Sequence, residues 1–238
     1  MSQSPLAWGA VIVAAGRGER FGRPKQLLDV AGLPLAGWCI RTFAGMPEIA
    51  ELVIVTEPAW IEPMRELCAR LGADRRTRVV SGGATRRESA FNGLRALSPH
   101  CDGILIHDGA RPLVRAGDVR AAMQVVRAGR GALLAGPVVD TVKVVDAHTH
   151  AVVETLDRER LWAAQTPQMA TAADLRRAHE LAAREGAIAT DDAVLLERAG
   201  IEVVVVPASG ENFKVTLPTD VARVEALLRE RGAVEASR

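Results

Sequence analysis

Residues 11–27, VIVAAGRGERFGRPKQL, lead an apolar run into Gly16 and Gly18 and then deliver Arg17, Arg20, Arg23 and Lys25 within nine residues. Four cations where a core helix would otherwise begin point to a bound anion. Two common phosphate templates fail to describe the segment. A dinucleotide fingerprint needs glycine or alanine three residues after Gly18, where Phe21 stands, and a P-loop needs Gly-Lys-Ser/Thr, whereas Lys25 follows Pro24. Backbone freedom at Gly16 and Gly18 lets amides approach an anion, while arginine and lysine add mobile charge. That combination suits a pyrophosphate that gains charge as a bond breaks. Pro24 disfavours helix at Arg23 and keeps Lys25 near the end of an extended loop. The alternative for this loop alone is a solvated basic turn.

Other stretches carry chemistry of their own. Asp108 closes the apolar run ILIH, where a carboxylate is poor core material, and it fits an oxygen ligand for Mg²⁺. His107 reads as a packed, hydrogen-bonded histidine. SGGATRRES, residues 81–89, reads by itself as a strand-to-helix turn with a polar cap. Lys214 in NFKVT is equally well a lysine on an edge strand, and Asp157 to Arg160 a solvated charge cluster. Thr190 precedes Asp191 and Asp192 at a helix start, which is good capping chemistry. His148 and His150 fall in a turn with no further ligand nearby in sequence, which favours an exposed turn over a metal site. No Ser-His-Asp or Cys-His pattern emerges.

Positioning these residues requires regular elements on either side. WGAVIVAA, ELVIVT, TRVVSGG, DGILIHD and GALLAGPV are short apolar runs of the kind buried on both faces of a parallel sheet. Between them lie segments with helical spacing, such as Met64, Leu67, Cys68 and Leu71, or Val119, Met123 and Val126. The alternation predicts an α/β fold with a doubly wound, mostly parallel sheet in one domain over residues 1–238. The rhythm changes at residues 138–156, which alternate and turn around Asp146 to His150, as a protruding β-hairpin arm would. Helices follow near 171–185 and 191–200, then the strand IEVVVVP and a closing helix near 218–231. Every chemically loaded stretch falls after a strand, at the edge where such sheets bind ligands.

Composition limits the partners. Thirty basic residues against 29 acidic ones leave a formal charge of +1, too little to steer nucleic acid or an anionic membrane. Tyrosine is absent and Trp plus Phe total eight, which argues against base stacking. Cys39, Cys68 and Cys101 are unpaired in spacing and flanked by apolar residues, as buried reduced thiols are. No basic leader and no apolar run of 18 residues is present. The expectation is a cytoplasmic protein with no nucleic acid and no membrane as partner.

The loop AAGxGxRFGxPKQ resembles the signature of nucleotidyltransferases that join a nucleoside triphosphate to a phosphorylated small molecule. With IHDGARP, DTVK, LDRERLWAAQTPQ, TDDA and NFKVT in the same order, the chain resembles the 2-C-methyl-D-erythritol 4-phosphate cytidylyltransferase family of the non-mevalonate isoprenoid pathway, from about residue 10 to about residue 220. The resemblance implies a Rossmann-like nucleotidyltransferase fold and cytidylyl transfer from CTP to the acceptor phosphate by direct in-line attack, with Mg²⁺. It assigns Arg20, Lys25, Arg158 and Lys214 to catalysis. It assigns nucleotide binding to Ala14, Ala15, Gly16, Gly18, Gly82, Gly83, Ser89, Asp108 and Gly109, with Asp108 also holding the metal. Gly109 departs from the commoner alanine, a change that preserves a main-chain contact. Acceptor binding falls to Thr141, Arg158, Thr166 and Thr190, with the arm building a homodimer and carrying Arg158 into the partner's site. Arg17 and Arg23 receive no role. The rival enzymes are a cytidylyltransferase for another polyol phosphate, such as ribitol 5-phosphate, and a guanylyltransferase for molybdenum cofactor. A non-catalytic nucleotide sensor would be expected to lack Lys25, Asp108 or Lys214, yet all three are present.

Overall fold

The computed structural model describes residues 7–16, 21 and 24–236. The apolar runs become β1 (Trp8–Val13), β4 (Ile49–Thr56), β5 (Thr77–Ser81), β6 (Gly103–Asp108), β7 (Arg130–Pro137) and β11 (Glu202–Pro207), six strands that all run the same way. A small hairpin, β2 (Asp29–Val30) with β3 (Leu33–Pro34), follows the cationic loop. The helices are α1 (Leu35–Ala44), α2 (Ile61–Arg70), α3 (Arg86–Ala96), α4 (Ala116–Met123), α5 (Ala172–Glu185), α6 (Asp192–Arg198) and α7 (Thr219–Ala236). Val126, expected on the same helix as Val119 and Met123, lies just beyond the end of α4 and is still buried.

One strand was not anticipated. β10 (Trp162–Thr171) lies between β6 and β7, antiparallel to both, giving the order β11-β7-β10-β6-β1-β4-β5. Its sequence, WAAQTPQMAT, offers little β-branched character and interrupts itself with Pro167, so propensity alone does not mark it. The ladder to β7 shifts register between Ala164 and Gln168, the interval that contains Pro167, so pairing tolerates the missing N–H.

Strand geometry sends successive side chains to opposite faces, and both faces are covered. Ile12, Leu52, Ile54 and Leu105 pack against Ile40 and Phe43 of α1, Met64 of α2 and Val119 of α4. Val11, Val53, Val55 and Ile106 pack on the other side against Leu94 of α3, Leu175 of α5 and Leu196 of α6. A third cluster joins Phe21, Val30, Leu35, Leu113 and Val215 to Val224 and Leu228 of α7. The sheet is therefore doubly wound and mostly parallel, as the sequence predicts. Cys39, Cys68 and Cys101 are buried and free.

The hairpin arm consists of β8 (Lys143–Val145) and β9 (Val152–Thr155), an antiparallel pair whose every residue is exposed. Asp146 Oδ1 accepts hydrogen bonds from the backbone N–H of His148 and Thr149, and His150 takes a left-handed φ of 57°, closing the turn where it was expected. Among the described residues no helix is long and apolar enough to cross a membrane.

Candidate active site

The carboxyl ends of β1, β4, β5 and β6 open onto a cleft of about 860 Å³. Its walls come from the first loop (Ala15, Gly16, Lys25), from Gly82, Gly83 and Ser89, and from Asp108 and Lys214. A second cavity of about 300 Å³ lies beside it, lined by Thr166 and Gln168 of β10, by Thr190 and Asp191 ahead of α6, and by Arg111. Three residues line both: Arg86, Asp108 and Lys214. They form the seam between two compartments.

The first loop is anchored at points that sequence chemistry explains. Phe21, the residue that breaks the dinucleotide fingerprint, is 7% exposed and packs into the α7 cluster. Gln26 Nε2 donates to the Gly16 carbonyl at 2.6 Å, and Lys25 Nζ donates to the Val215 carbonyl at 2.7 Å. Arg20 and Gly18, together with Arg17 and Arg23, lie outside the described residues. Ala14 is buried beneath the loop, its N–H donating to the Val55 carbonyl at 2.7 Å.

Across the cleft, Gly82 and Gly83 are required by space. A Cβ on Gly82 would stand 2.5 Å from the Ala15 Cβ, and one on Gly83 2.4 Å from the Glu88 Cβ. This lets the β5–α3 turn approach the first loop closely. Ser89 Oγ accepts the Gly83 N–H at 3.1 Å and donates to the Thr85 carbonyl at 2.9 Å, fixing the turn. Thr85 caps α3 by accepting the Glu88 N–H at 3.1 Å, and Glu88 reaches back to the Ala84 N–H at 2.9 Å.

Asp108 ends β6 with its carboxylate in the seam. Lys214 Nζ donates to Oδ2 at 2.8 Å, Arg86 Nε to Oδ1 at 3.2 Å, and Arg111 Nε stands 3.9 Å from Oδ2. Burial opposes the charged form of Asp108, but the Arg86 and Lys214 cations outweigh it and hold the carboxyl well below the usual range. Lys214 sits in an irregular segment after β11 and not on an edge strand. That segment is tied down: Arg111 Nη1 donates to the Asn212 carbonyl at 2.9 Å, and the Val215 N–H to the Ala110 carbonyl at 2.8 Å. Gly109 is not part of either cavity wall; its N–H extends the ladder to the Val13 carbonyl at 2.9 Å.

Behind Asp108, His107 is fully buried and structural, as expected. Its Nε2 lies 3.2 Å from the Arg111 carbonyl and so carries the proton, which leaves Nδ1 to accept from the Thr166 hydroxyl at 3.0 Å. The same hydroxyl accepts the Asp108 N–H at 3.0 Å. Burial pulls the His107 pKa down to about 4, with the Asp108 charge opposing, so the ring is neutral at pH 7. Thr166 therefore lines the smaller cavity with its hydroxyl already engaged inward. Thr190 also lines it, exposed, and the helix cap beside it is Asp191, which accepts the Val194 N–H at 3.1 Å. Gln168, 1% exposed, donates to Asp191 at 2.9 Å and accepts the Ala193 N–H at 2.7 Å.

Thr141 and Arg158 line neither of these two cavities. Both are exposed beside the arm, and Arg158 Nη1 donates to the Val139 carbonyl at 3.0 Å.

Sequence reasoning missed Arg86, Arg111, Asp192 and Gln168. A signal existed for Arg86: two arginines open α3, at the end of a helix that disfavours cations. Arg111, Asp192 and Gln168 fall inside the motifs IHDGARP, TDDA and LDRERLWAAQTPQ, a signal that could have found them.

Residues 9–230 match the family described as 2-C-methyl-D-erythritol 4-phosphate cytidylyltransferase (IspD). The enzyme of that name from Halalkalibacterium halodurans is 41% identical over 229 residues, 95% of this chain and 99% of the relative. Its namesake from Pelotomaculum thermopropionicum is 40% identical over 225 residues, covering 93% and 94%. Among solved structures, the 4-diphosphocytidyl-2C-methyl-D-erythritol synthase of Anaerococcus prevotii superposes with a TM-score of 0.83 at 28% identity, covering 93% of this chain and 96% of that one. The cytidylyltransferase of Thermus thermophilus superposes with a TM-score of 0.74 at 33% identity, covering 92% and 98%.

Proposed function

Because the chain belongs to the 2-C-methyl-D-erythritol 4-phosphate cytidylyltransferase family, we propose how its own residues divide the work of that reaction. The reaction transfers a cytidylyl group from CTP to methylerythritol phosphate in isoprenoid precursor synthesis. The observation that carries the division is the pair of cavities meeting at Arg86, Asp108 and Lys214. CTP takes the larger cleft and the acceptor phosphate the smaller one.

A phosphate monoester is mostly dianionic at pH 7, so the acceptor arrives as a ready nucleophile and needs no general base. What the protein supplies is positioning and charge neutralisation for two polyanions. Lys25 and Arg20 receive the triphosphate, the Gly82–Gly83 turn and Ser89 face the base, and Lys214 orients attack on the α-phosphate. Thr166 and Thr190 border the acceptor.

Mg²⁺ is compatible with this donor set. Among the described residues no group of three or more His, Cys, Asp or Glu could hold a metal unaided. Mg²⁺ is commonly held by one or two carboxylates plus substrate phosphates, and Asp108 is the carboxylate at the junction. When bound there, the ion would neutralise charge on the reacting phosphate and the pyrophosphate it releases.

Arg158 and Thr141 complete the acceptor cavity from a second copy of the chain, in a homodimer built through the arm. The exposed valines of β8 and β9 support that reading. Three free, buried cysteines suit a reducing cytoplasm.

The test is pyrophosphate release from CTP and Mg²⁺ with methylerythritol phosphate, with ribitol 5-phosphate, and with neither. Release should depend on the first. Faster turnover with ribitol 5-phosphate would overturn the acceptor assignment.

A further inference from the structure

Arg86 is held from behind by groups that neither substrate can reach. Its Nη2 donates to Asp192 Oδ2 at 2.9 Å, and Asp192 is fully buried. The other Asp192 oxygen lies 3.1 Å from Nε2 of His179, also fully buried, and a carboxylate acceptor means that this nitrogen carries the proton. The second ring nitrogen of His179 has no hydrogen-bond partner among the described residues, and the ring stacks on Phe91 at 5.9 Å. The imidazole thus spends its polar contact on Asp192 alone. A buried row of Arg, Asp and His is a poor way to gain stability, because desolvation offsets most of the attraction. It is a good way to hold a guanidinium in one orientation.

That orientation is informative. Arg86 Nε and Nη2 are committed to Asp108 and Asp192, while Nη1 has no partner among the described residues and the side chain stays 27% exposed on the border of both cavities. We infer that Arg86 is a phosphate-binding residue shared by the two substrates, and that Asp192 and His179 are positioning residues that fix its fork. The inference rests on the two-substrate reading above. A planar guanidinium can face two anions at once with separate N–H groups, whereas the Lys214 ammonium is a point charge. Between two polyanions brought to bonding distance, the fork offsets repulsion on both sides of the seam.

The experiment compares unaltered enzyme with Arg86→Lys, His179→Leu and His179→Gln in steady-state kinetics for CTP and methylerythritol phosphate, with melting curves alongside. Arg86→Lys keeps the charge and loses the fork; kcat should fall about 30-fold or more, and KM for both substrates should rise. His179→Leu should lower kcat about 5-fold or more in folded protein, and His179→Gln, which retains an N–H donor, should recover most of it. Kinetic constants within about twofold of unaltered enzyme in Arg86→Lys would overturn the role of Arg86. Equal losses in His179→Leu and His179→Gln, or a lower melting temperature without a kinetic change, would overturn the positioning role. Thermal stabilisation by inorganic pyrophosphate needs no turnover: it should shrink in Arg86→Lys, and equal stabilisation would count against the inference. Failure of the unaltered enzyme to release pyrophosphate would instead sink the reaction reading, leaving the pyrophosphate measurement to decide Arg86 by itself.

Discussion

At the seam, cations from three parts of the chain converge on Asp108, which is 7% exposed, whereas on and beside the arm Val139, Val152 and Val153 stand 81%, 61% and 70% exposed. Charge is buried in one place and apolar surface is open in the other, the reverse of what stability alone selects. Each arrangement makes sense with an occupant. On the reading proposed above, polyanions would repay the buried cations and a second copy of the chain would cover the valines.

The sharpest way to break this contrast is at the seam itself. Lys214→Ala or Lys25→Ala should lower turnover about 100-fold or more in protein that still folds, since each would remove charge proposed to meet the reacting phosphates. Near-normal turnover in both would sink their assignment. The arm answers to a different test. Lys214→Ala and Arg158→Ala should each be weak alone, yet an equal mixture of the two should recover about a quarter of full activity. Half of the randomly mixed dimers are then mixed, and one of the two sites in each has both residues intact. No recovery after subunit exchange would place Arg158 outside the partner's site. The last effect, on stability and not on turnover, lies under the seam. His107 has its pKa lowered to about 4 by burial, against about 6.5 for the free side chain, so the unfolded chain binds its proton first. The stability His107 contributes is complete above pH 6.5 and is lost as pH falls towards 4, roughly 3 kcal/mol in all. Denaturant unfolding should show a shallower loss across that window in His107→Gln. An unchanged slope would mean that His107 is not what titrates.

Much of this architecture was legible because the parallel strands are continuous apolar runs and the arm alternates. The motif loops then had to fall at one edge of the sheet. β10 was not legible, because its register is set by partners on both sides and its buried polar residues, Thr166 and Gln168, imitate a loop. The Arg86 pairings were hidden for another reason: they span 22 residues to Asp108 and 106 to Asp192, and only the folded sheet brings them together. The acceptor role of Arg158 and Thr141 could be anticipated only through resemblance, since within one chain they line neither cavity.

The place of β10 between two strands made earlier also governs the order in which the molecule can assemble. Among the described residues β7 pairs only with β10 and β11, both made after it, so during synthesis it emerges with no completed neighbour. β5, β4, β1 and β6 can join into a four-stranded half by residue 108, leaving the outer edge of β6 open. Residues 162–171 close that edge and recruit β7 in one event, after the whole arm has passed. Such late, long-range pairing is slow, and the open edges it leaves are the usual route to misassembly. The strand that carries Thr166 to the edge of the smaller cavity is thus also the latch of the sheet, and a chain that stops short of it leaves β6 with one unfinished edge and β7 with two.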